Sequence, residues 1–401
     1  MRNILKCGAV GGGVLVTALV VASGAVSQQQ PASGPIARYS MDAGTVSGME
    51  AMGGGMGGGM SMMFGGGGGN KIVHELFLKL GSSSAPEKGG PKADHFMPSS
   101  ARLGKSVPLI TPKQAPVEEA LPRDFERPKG RLLVYWGCGA HVGKGQPVVI
   151  DFAKVAAGQM PPGLMSAAVP RDTRPTVANS RTYGDWPNGR DRKMLSGDSS
   201  LIGDHRIAGN YAPEIRFALN QDFLSPINGR TTGMSGGPTT ISWNGVPGAT
   251  GYYAWVMGMK MSPSGEPGDM VWWSSSATRE FGGGLWEWLS PGTVQRLIGQ
   301  KIVMPPSQTS CALPVEVKQA APDMQMGFLY AYGPEQNFPY PPRPANPKQA
   351  WNLEWTARVR YRSHTSFFIN APGGMGGMGG SGGESAPKCR GGMFGAVLGG
   401  C

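Results

Sequence analysis

Residues 241–256 (ISWNGVPGATGYYAWV) constrain the fold more than any other stretch of the chain. They read as a strand ending in Trp243, a Val-Pro-Gly turn and a second strand opening at Tyr252, because β-branched and aromatic residues flank a cluster of turn formers. Two such strands across a short turn imply a β-sandwich, so the chain is expected to be all-β. Other order-forming runs agree. Segments 131–136 (RLLVYW), 147–152 (PVVIDF), 214–220 (EIRFALN), 270–275 (MVWWSS), 311–317 (CALPVEV), 326–332 (MGFLYAY) and 353–361 (LEWTARVRY) all have strand length. Segment 71–80 (KIVHELFLKL) fits a helical face through Ile72, Val73, Leu76, Phe77 and Leu80, and also alternates as a strand at Leu76, Leu78 and Leu80. Its β-like company and the Gly81-Ser-Ser-Ser stop favour the strand. One helix is predicted, with Ser290 as its cap, Pro291 in its first turn and Gly299 closing it.

The 241–256 run resembles the strand B to strand C passage of fibronectin type III and related immunoglobulin-like domains, in which a Trp closes one strand and a Gly-Tyr opens the next across the core. The resemblance implies a fibronectin type III-like β-sandwich over 211–370. An additional upstream β-region over 71–210 precedes it, with loosely packed chain over 82–129 and a long loop over 160–200. Such sandwiches bind or build more often than they catalyse, and the fold alone names no ligand.

The N-terminus sets the expected compartment. Arg2 and Lys6 precede an uncharged stretch, and Ala25-Val26-Ser27 offers small residues for cleavage, so residues 1–27 read as a signal peptide. Left uncleaved, 8–26 would be long enough to anchor the chain, since roughly 17–25 apolar residues span a bilayer. Both readings export the rest, to the periplasm, the outer membrane surface or the exterior. Gly 65 and Pro 35 of 401 residues make a quarter of the chain, the level at which low-complexity segments are expected. These segments are a disordered Gly/Met-rich spacer over 28–70 and a disordered Gly-rich tail over 371–401. Charged residues are sparse at 16%, yet the net charge is +11. That balance suits an envelope protein or an anionic polysaccharide as partner. Export removes the chain from nucleic acid, and membrane contact is expected only through an uncleaved N-terminal segment.

Cleavage leaves Cys138, Cys311, Cys389 and Cys401, which admit three disulfide connectivities. The preferred one closes Cys389 to Cys401 as a local loop in the tail and leaves Cys138 to pair with Cys311. No two cysteines stand at CxxC spacing, so zinc is not indicated. The thioethers of Met56, Met60, Met62 and Met63, with His74, would suit Cu(I), but the same residues also read as interruptions of a flexible Gly linker, and no cofactor is expected. The GxSxG match at 233–237 lies before a strand rather than a helix, which removes the hydrolase reading. The Gly-rich run 136–144 has the wrong spacing for a phosphate loop. Cys138 with His141 could form a thiolate and base; a structural disulfide and a loop histidine is the plainer reading.

Aromatic and basic residues supply the remaining candidates. Trp272 and Trp273 must face opposite sides of a strand, so one of them could be exposed to stack on a sugar. Further rings are Trp286, Trp288, Trp351, Trp355 and those of the loop 338–342 (FPYPP). In the last strand Trp355, Ala357, Val359 and Tyr361 share one face, and Thr356, Arg358, Arg360, Arg362 and His364 share the other. The second set is a cationic stripe that would engage phosphate or carboxylate, or would protect a solvated edge strand. The expected function is an exported envelope or surface protein with a structural or binding role and no catalysis. Its alternatives are a carbohydrate or lipopolysaccharide binder using Trp272, Trp273 and the Arg stripe, and an exported enzyme using Cys138 and His141.

Overall fold

A computed structural model describes residues 34–52, 71–87, 89–112, 130–156, 165–188, 195–233, 236–261, 267–346 and 348–370. Among them strands dominate, and the protein is all-β. In chain order the elements are β1 (Ala37–Gly48), β2 (Val73–Ser82), β3 (Ala93–Phe96), β4 (Val107–Pro108), β5 (Arg131–Trp136), β6 (Val148–Asp151), α1 (Phe152–Ala156), β7 (Thr182–Trp186), β8 (Leu195–Ser196), β9 (Gly203–Gly209) and β10 (Ile215–Leu219). They continue with β11 (Gly229–Gly233), β12 (Thr239–Trp243), β13 (Gly251–Met261), β14 (Pro267–Ser274), α2 (Pro291–Gly299), β15 (Ser310–Leu313), α3 (Val315–Ala320), β16 (Met324–Tyr340) and β17 (Trp355–Asn370).

A ten-stranded sheet forms the centre, in the order β6-β5-β14-β13-β16-β17-β1-β2-β7 with β8 also on β2. Its pairs are antiparallel except β1 with β17 and β5 with β14. A four-stranded sheet runs β10-β9-β3-β4, and a three-stranded sheet runs β11-β12-β15.

Alternation along the central strands explains the layering, because successive side chains leave a strand on opposite faces. On the first face Tyr39, Met41, Leu76, Leu78, Leu80, Tyr252, Trp273, Val359 and Tyr361 join Ile207, Ile215 and Phe217 of the four-stranded sheet and Ile241, Trp243 and Leu313 of the three-stranded one in a single buried cluster. On the second face Tyr253, Trp255, Trp272, Phe328 and Tyr330 meet Phe281, Leu285, Val294 and Leu297. The helix α2 that supplies two of these residues starts as its sequence requires, with the Ser290 hydroxyl accepting from the Thr293 amide and Pro in its first turn. The 241–256 run crosses between layers. β12 lies in the three-stranded sheet and β13 in the ten-stranded one, and the Tyr252 hydroxyl accepts from the Val246 amide at 2.8 Å.

Several sequence expectations are corrected. Residues 37–48 fall inside the expected 28–70 spacer, yet form β1, a buried strand between β17 and β2. Tyr39, Met41 and Ala43 alternate with Arg38, Ser40 and Asp42, a strand pattern that ends before the Gly run. The boundary at 210 does not divide the ten-stranded sheet, which interleaves β1, β2 and β5 to β8 with β13, β14, β16 and β17. The stretches expected to be loose or looped hold β3 and β4, and β7 and β8. The strand expected over 311–317 stops at Leu313, because Pro314 has no amide hydrogen to continue the ladder and instead precedes the short helix α3. Residues 1–33, the Gly/Met run with Met56, Met60, Met62 and Met63, Ser235, and the tail with Cys389 and Cys401 lie outside the described residues. Among the described residues no helix is long and apolar enough to cross a membrane.

Candidate functional site

β17 is where the sequence places its charge, and the register around it decides what that charge meets. Its partners are β16 on one side and β1 on the other, so it is an interior strand and not a solvated edge. The side chains of Arg358, Arg360, Arg362 and His364 all leave the second face. In register beside them lie Ser40, Asp42, Gly44 and Val46 of β1, and beyond those Lys79, Phe77, Glu75 and Val73 of β2. Segments 172–174 and 286–288 close over this charged half of the face.

Arg360 is 3% exposed and is the centre of the cluster. Its Nε and one terminal nitrogen donate to the two oxygens of Asp42, at 2.8 and 3.1 Å. That same terminal nitrogen donates to Asp172 at 2.7 Å, and the other donates to the Trp288 carbonyl at 2.7 Å. Arg358 donates to the second oxygen of Asp172 at 2.7 Å. Burial works to raise the Asp172 carboxyl pKa, but Arg360 and Arg358 outweigh it and hold the group below its usual range. Burial likewise opposes charge on Arg360, and Asp42 and Asp172 more than compensate.

One register step further along β17, Arg362 donates to Glu75 at 2.7 Å and to the Trp286 carbonyl. Its guanidinium lies 3.8 Å from the Trp288 ring centroid, a cation–π contact in a desolvated setting. Gly44 makes room here, since a Cβ at that position would lie 2.4 Å from the Glu75 Oε1. His364 then reaches Glu50 through Nε2 at 3.2 Å and stacks on Tyr330. Burial raises the Glu50 carboxyl pKa, but the bond to His364 and the Arg362 charge bring it below its ordinary value. At the rim Arg174 pairs with Glu287 at 2.8 Å, and Lys79 has its pKa lowered by burial and by the Arg174 charge.

Chemically this is an ion-pair ladder that ties β17, β1 and β2 to the two covering segments. The stripe expected to face an external polymer spends its charge inside: Arg360 and Arg362 are buried, and Arg358 is committed to Asp172. The Trp expectation is also corrected. Trp272 is 6% exposed and stacks on Phe281 in the second core, while Trp273 is fully enclosed in the first and donates from Nε1 to the Gly137 carbonyl at 2.9 Å. A sheet covered on both faces leaves neither side of β14 to solvent, so alternation exposes neither ring.

Cys138 and Cys311 form the expected disulfide, linking the loop after β5 to β15. Its sulfur being bonded, Cys138 offers no thiolate to His141, whose Nδ1 lies 2.9 Å from Glu316 instead. His74 is buried, within 3.2 Å of the Thr45 hydroxyl and 3.1 Å of the Gly197 carbonyl. Among the described residues no group of His, Cys, Asp or Glu has the arrangement of a metal site.

The partners Asp42, Glu75 and Asp172 are not among the residues that the sequence singles out. Asp42 had a signal in the alternation of 37–43, and Glu75 in that of 71–80. Asp172 had none, because it sits in irregular chain brought over the sheet by the fold. An exposed ring is found elsewhere, at the far end of the β16–β17 hairpin, with a half-buried one near it. Tyr340 is 46% exposed and stacks on Trp355 with centroids 5.3 Å apart, and Trp351 is fixed by a bond from its Nε1 to the Pro341 carbonyl at 2.9 Å. No protein-family model, curated protein or solved structure matches the chain.

Proposed function

We propose that this protein is an exported structural or binding protein of the cell envelope or surface, built as a β-scaffold in the manner of fibronectin type III-like sandwiches and acting without catalysis. The disulfide between Cys138 and Cys311 carries the proposal, since such bonds persist in oxidising compartments and are rare where thiols are kept reduced. The basic and then uncharged start of the chain supports export, and the passage of β12 to β13 between sheets supports the sandwich likeness. Cell fractionation of a host expressing the full chain, with thiol alkylation before and after reduction, tests it. The expected result is protein in the envelope or medium with Cys138 and Cys311 alkylated only after reduction. Protein in the cytosol with both thiols free from the start would overturn it.

A second reading, binding of envelope polysaccharide, has its support at the hairpin end rather than at Trp272, Trp273 or the Arg stripe. Tyr340 is exposed and backed by the buried Trp355, and Trp351 at the same hairpin end is fixed to the Pro341 carbonyl, with the Arg343 guanidinium 5.7 Å from its ring. Aromatic contacts of this kind contribute about 0.5–1.5 kcal/mol each. On this reading Tyr340→Ala with Trp351→Ala lowers retention on immobilised polysaccharide at high salt by roughly tenfold. Unchanged retention, with the fold intact by circular dichroism, would remove the reading.

A further inference from the structure

We propose that Tyr39, His95 and His205 form an acid-sensitive latch that holds the four-stranded sheet on the ten-stranded one, so that acidification frees β3, β4, β9 and β10 before the central sheet opens. The three side chains lie between the sheets in one line of hydrogen bonds. Tyr39 Oη is 2.7 Å from His95 Nδ1, His95 Nε2 is 3.0 Å from His205 Nδ1, and His205 Nε2 is 2.7 Å from the Leu201 carbonyl. Tyr39, His95 and His205 are 2%, 0% and 1% exposed.

The last acceptor fixes the direction of the whole line. A carbonyl can only accept, so His205 carries its proton on Nε2 and presents Nδ1 as an acceptor. His95 Nε2 must then donate to it, and His95 Nδ1 must accept from the Tyr39 hydroxyl. Every site is used once, with both rings neutral. One extra proton would reverse the line, with His205 Nδ1 donating to His95, and His95 donating to the Tyr39 oxygen. The tyrosine O–H would then need a new acceptor in a buried position, and a cation would sit between the sheets.

Among the described residues no carboxylate is bonded to the line to neutralise that cation. From β1, Tyr39 is flanked in register by Leu80 of β2 and Ala357 of β17. From β10, Phe217 stacks on His205 with centroids 5.2 Å apart. The charged groups that act on the line do so without touching it: Asp42 on Tyr39 and Asp204 on His205, while Asp222 accepts from the Leu201 amide at 2.9 Å. Burial, and for His95 the neighbouring His205, lowers both histidine pKa values. A lowered folded-state value means that the open form binds more protons. The stabilisation is therefore complete above the unfolded value of about 6.5 and is lost as pH falls below it. The equilibrium for opening should rise by up to about tenfold per pH unit for each proton taken up.

The test is hydrogen exchange on the full chain from pH 7.5 to 5, corrected for intrinsic exchange, together with nitrogen shifts of the histidine rings. The expected result is that amides of β3 and β9 lose protection below about pH 6.5 while those of β13 and β16 keep theirs, and that both rings stay neutral, protonated on Nε2, until that loss. His95→Gln, which can accept and donate in the same line, should shallow the pH dependence. Should that variant fail to fold, the ring shifts of the native protein still decide. Rings that titrate near their ordinary value with β3 and β9 still protected would overturn the proposal. So would loss of protection in all sheets at one pH.

Discussion

Replacing Arg360 with methionine is expected to lower stability by about 3–5 kcal/mol, the cost of leaving a buried ionic partner uncompensated. Asp42 is 1% exposed and, among the described residues, is ion-paired with Arg360, which also holds Asp172 and the Trp288 carbonyl. The loss should appear as a shift in the urea midpoint at constant slope. Arg358→Met serves as the internal comparison. Its side chain is 20% exposed and donates one described bond, to Asp172, which Arg360 still holds, so its removal should cost less, about 1.5–3 kcal/mol for a lost hydrogen bond to a charged group. A double variant, Arg360→Met with Asp42→Leu, should recover much of the loss, because an apolar pair of similar volume carries no unpaired charge. If Arg360→Met instead falls within about 0.5 kcal/mol of the native protein, the usual range for surface positions, the inward assignment of the stripe is wrong.

The second large effect concerns the disulfide. Cys138→Ser with Cys311→Ser, or reduction of the native protein, is expected to remove about 2–5 kcal/mol. The bond closes a loop over a sequence separation of 173 and so restricts the unfolded chain strongly. In the folded chain it ties the loop after β5, near one edge of the ten-stranded sheet, to β15 of the three-stranded sheet. Thermal unfolding with and without reductant measures it. An unchanged transition on full reduction would show that the sheets stay docked without the bond.

Acid acts on this fold in two windows with different origins. The lowered histidines His74, His95 and His205 withdraw stability below about 6.5, the unfolded value. The lowered carboxyls of Asp172 and Glu50 contribute fully above about 4 and lose that contribution only as pH falls further. A stability profile from pH 8 to 3 should therefore fall in two stages, the first assigned to the face under the four-stranded sheet and the second to the ion-pair ladder.

Much of the strand content was legible because alternation is local. The run 131–136 marks β5 at its observed limits, 71–80 favours the strand β2 over its helical alternative, and Ser290-Pro291 marks the cap of α2. The division of β17 into an apolar and a basic face was also legible, and it is correct as a statement about parity. What the second face meets was not legible. β1 pairs with a strand more than three hundred residues away, and its parallel register with β17 is what sets Asp42 beside Arg360. Strand parity says which side a residue leaves, while only sheet order says whether that side is solvent. The same gap explains Trp272 and Trp273, which were correctly placed on opposite faces of a sheet that is covered on both. β1 itself was hidden by composition, since its alternating residues stand just before a Gly run that dominates any window containing both.

The chain folds as one interleaved β-structure, with strands from both sides of residue 210 in the same sheet. The most direct measurement is denaturant unfolding of the fragment 211–370 made alone, beside 34–370. Without β1, β2, β5 and β7 the fragment lacks the partners of β17 and β14, together with Asp42, Glu75 and Asp172. The predicted result is a cooperative transition for 34–370 and none for 211–370. A fragment 211–370 that unfolds cooperatively, with native-like near-ultraviolet circular dichroism, would restore an independent sandwich and rule out the interleaved fold.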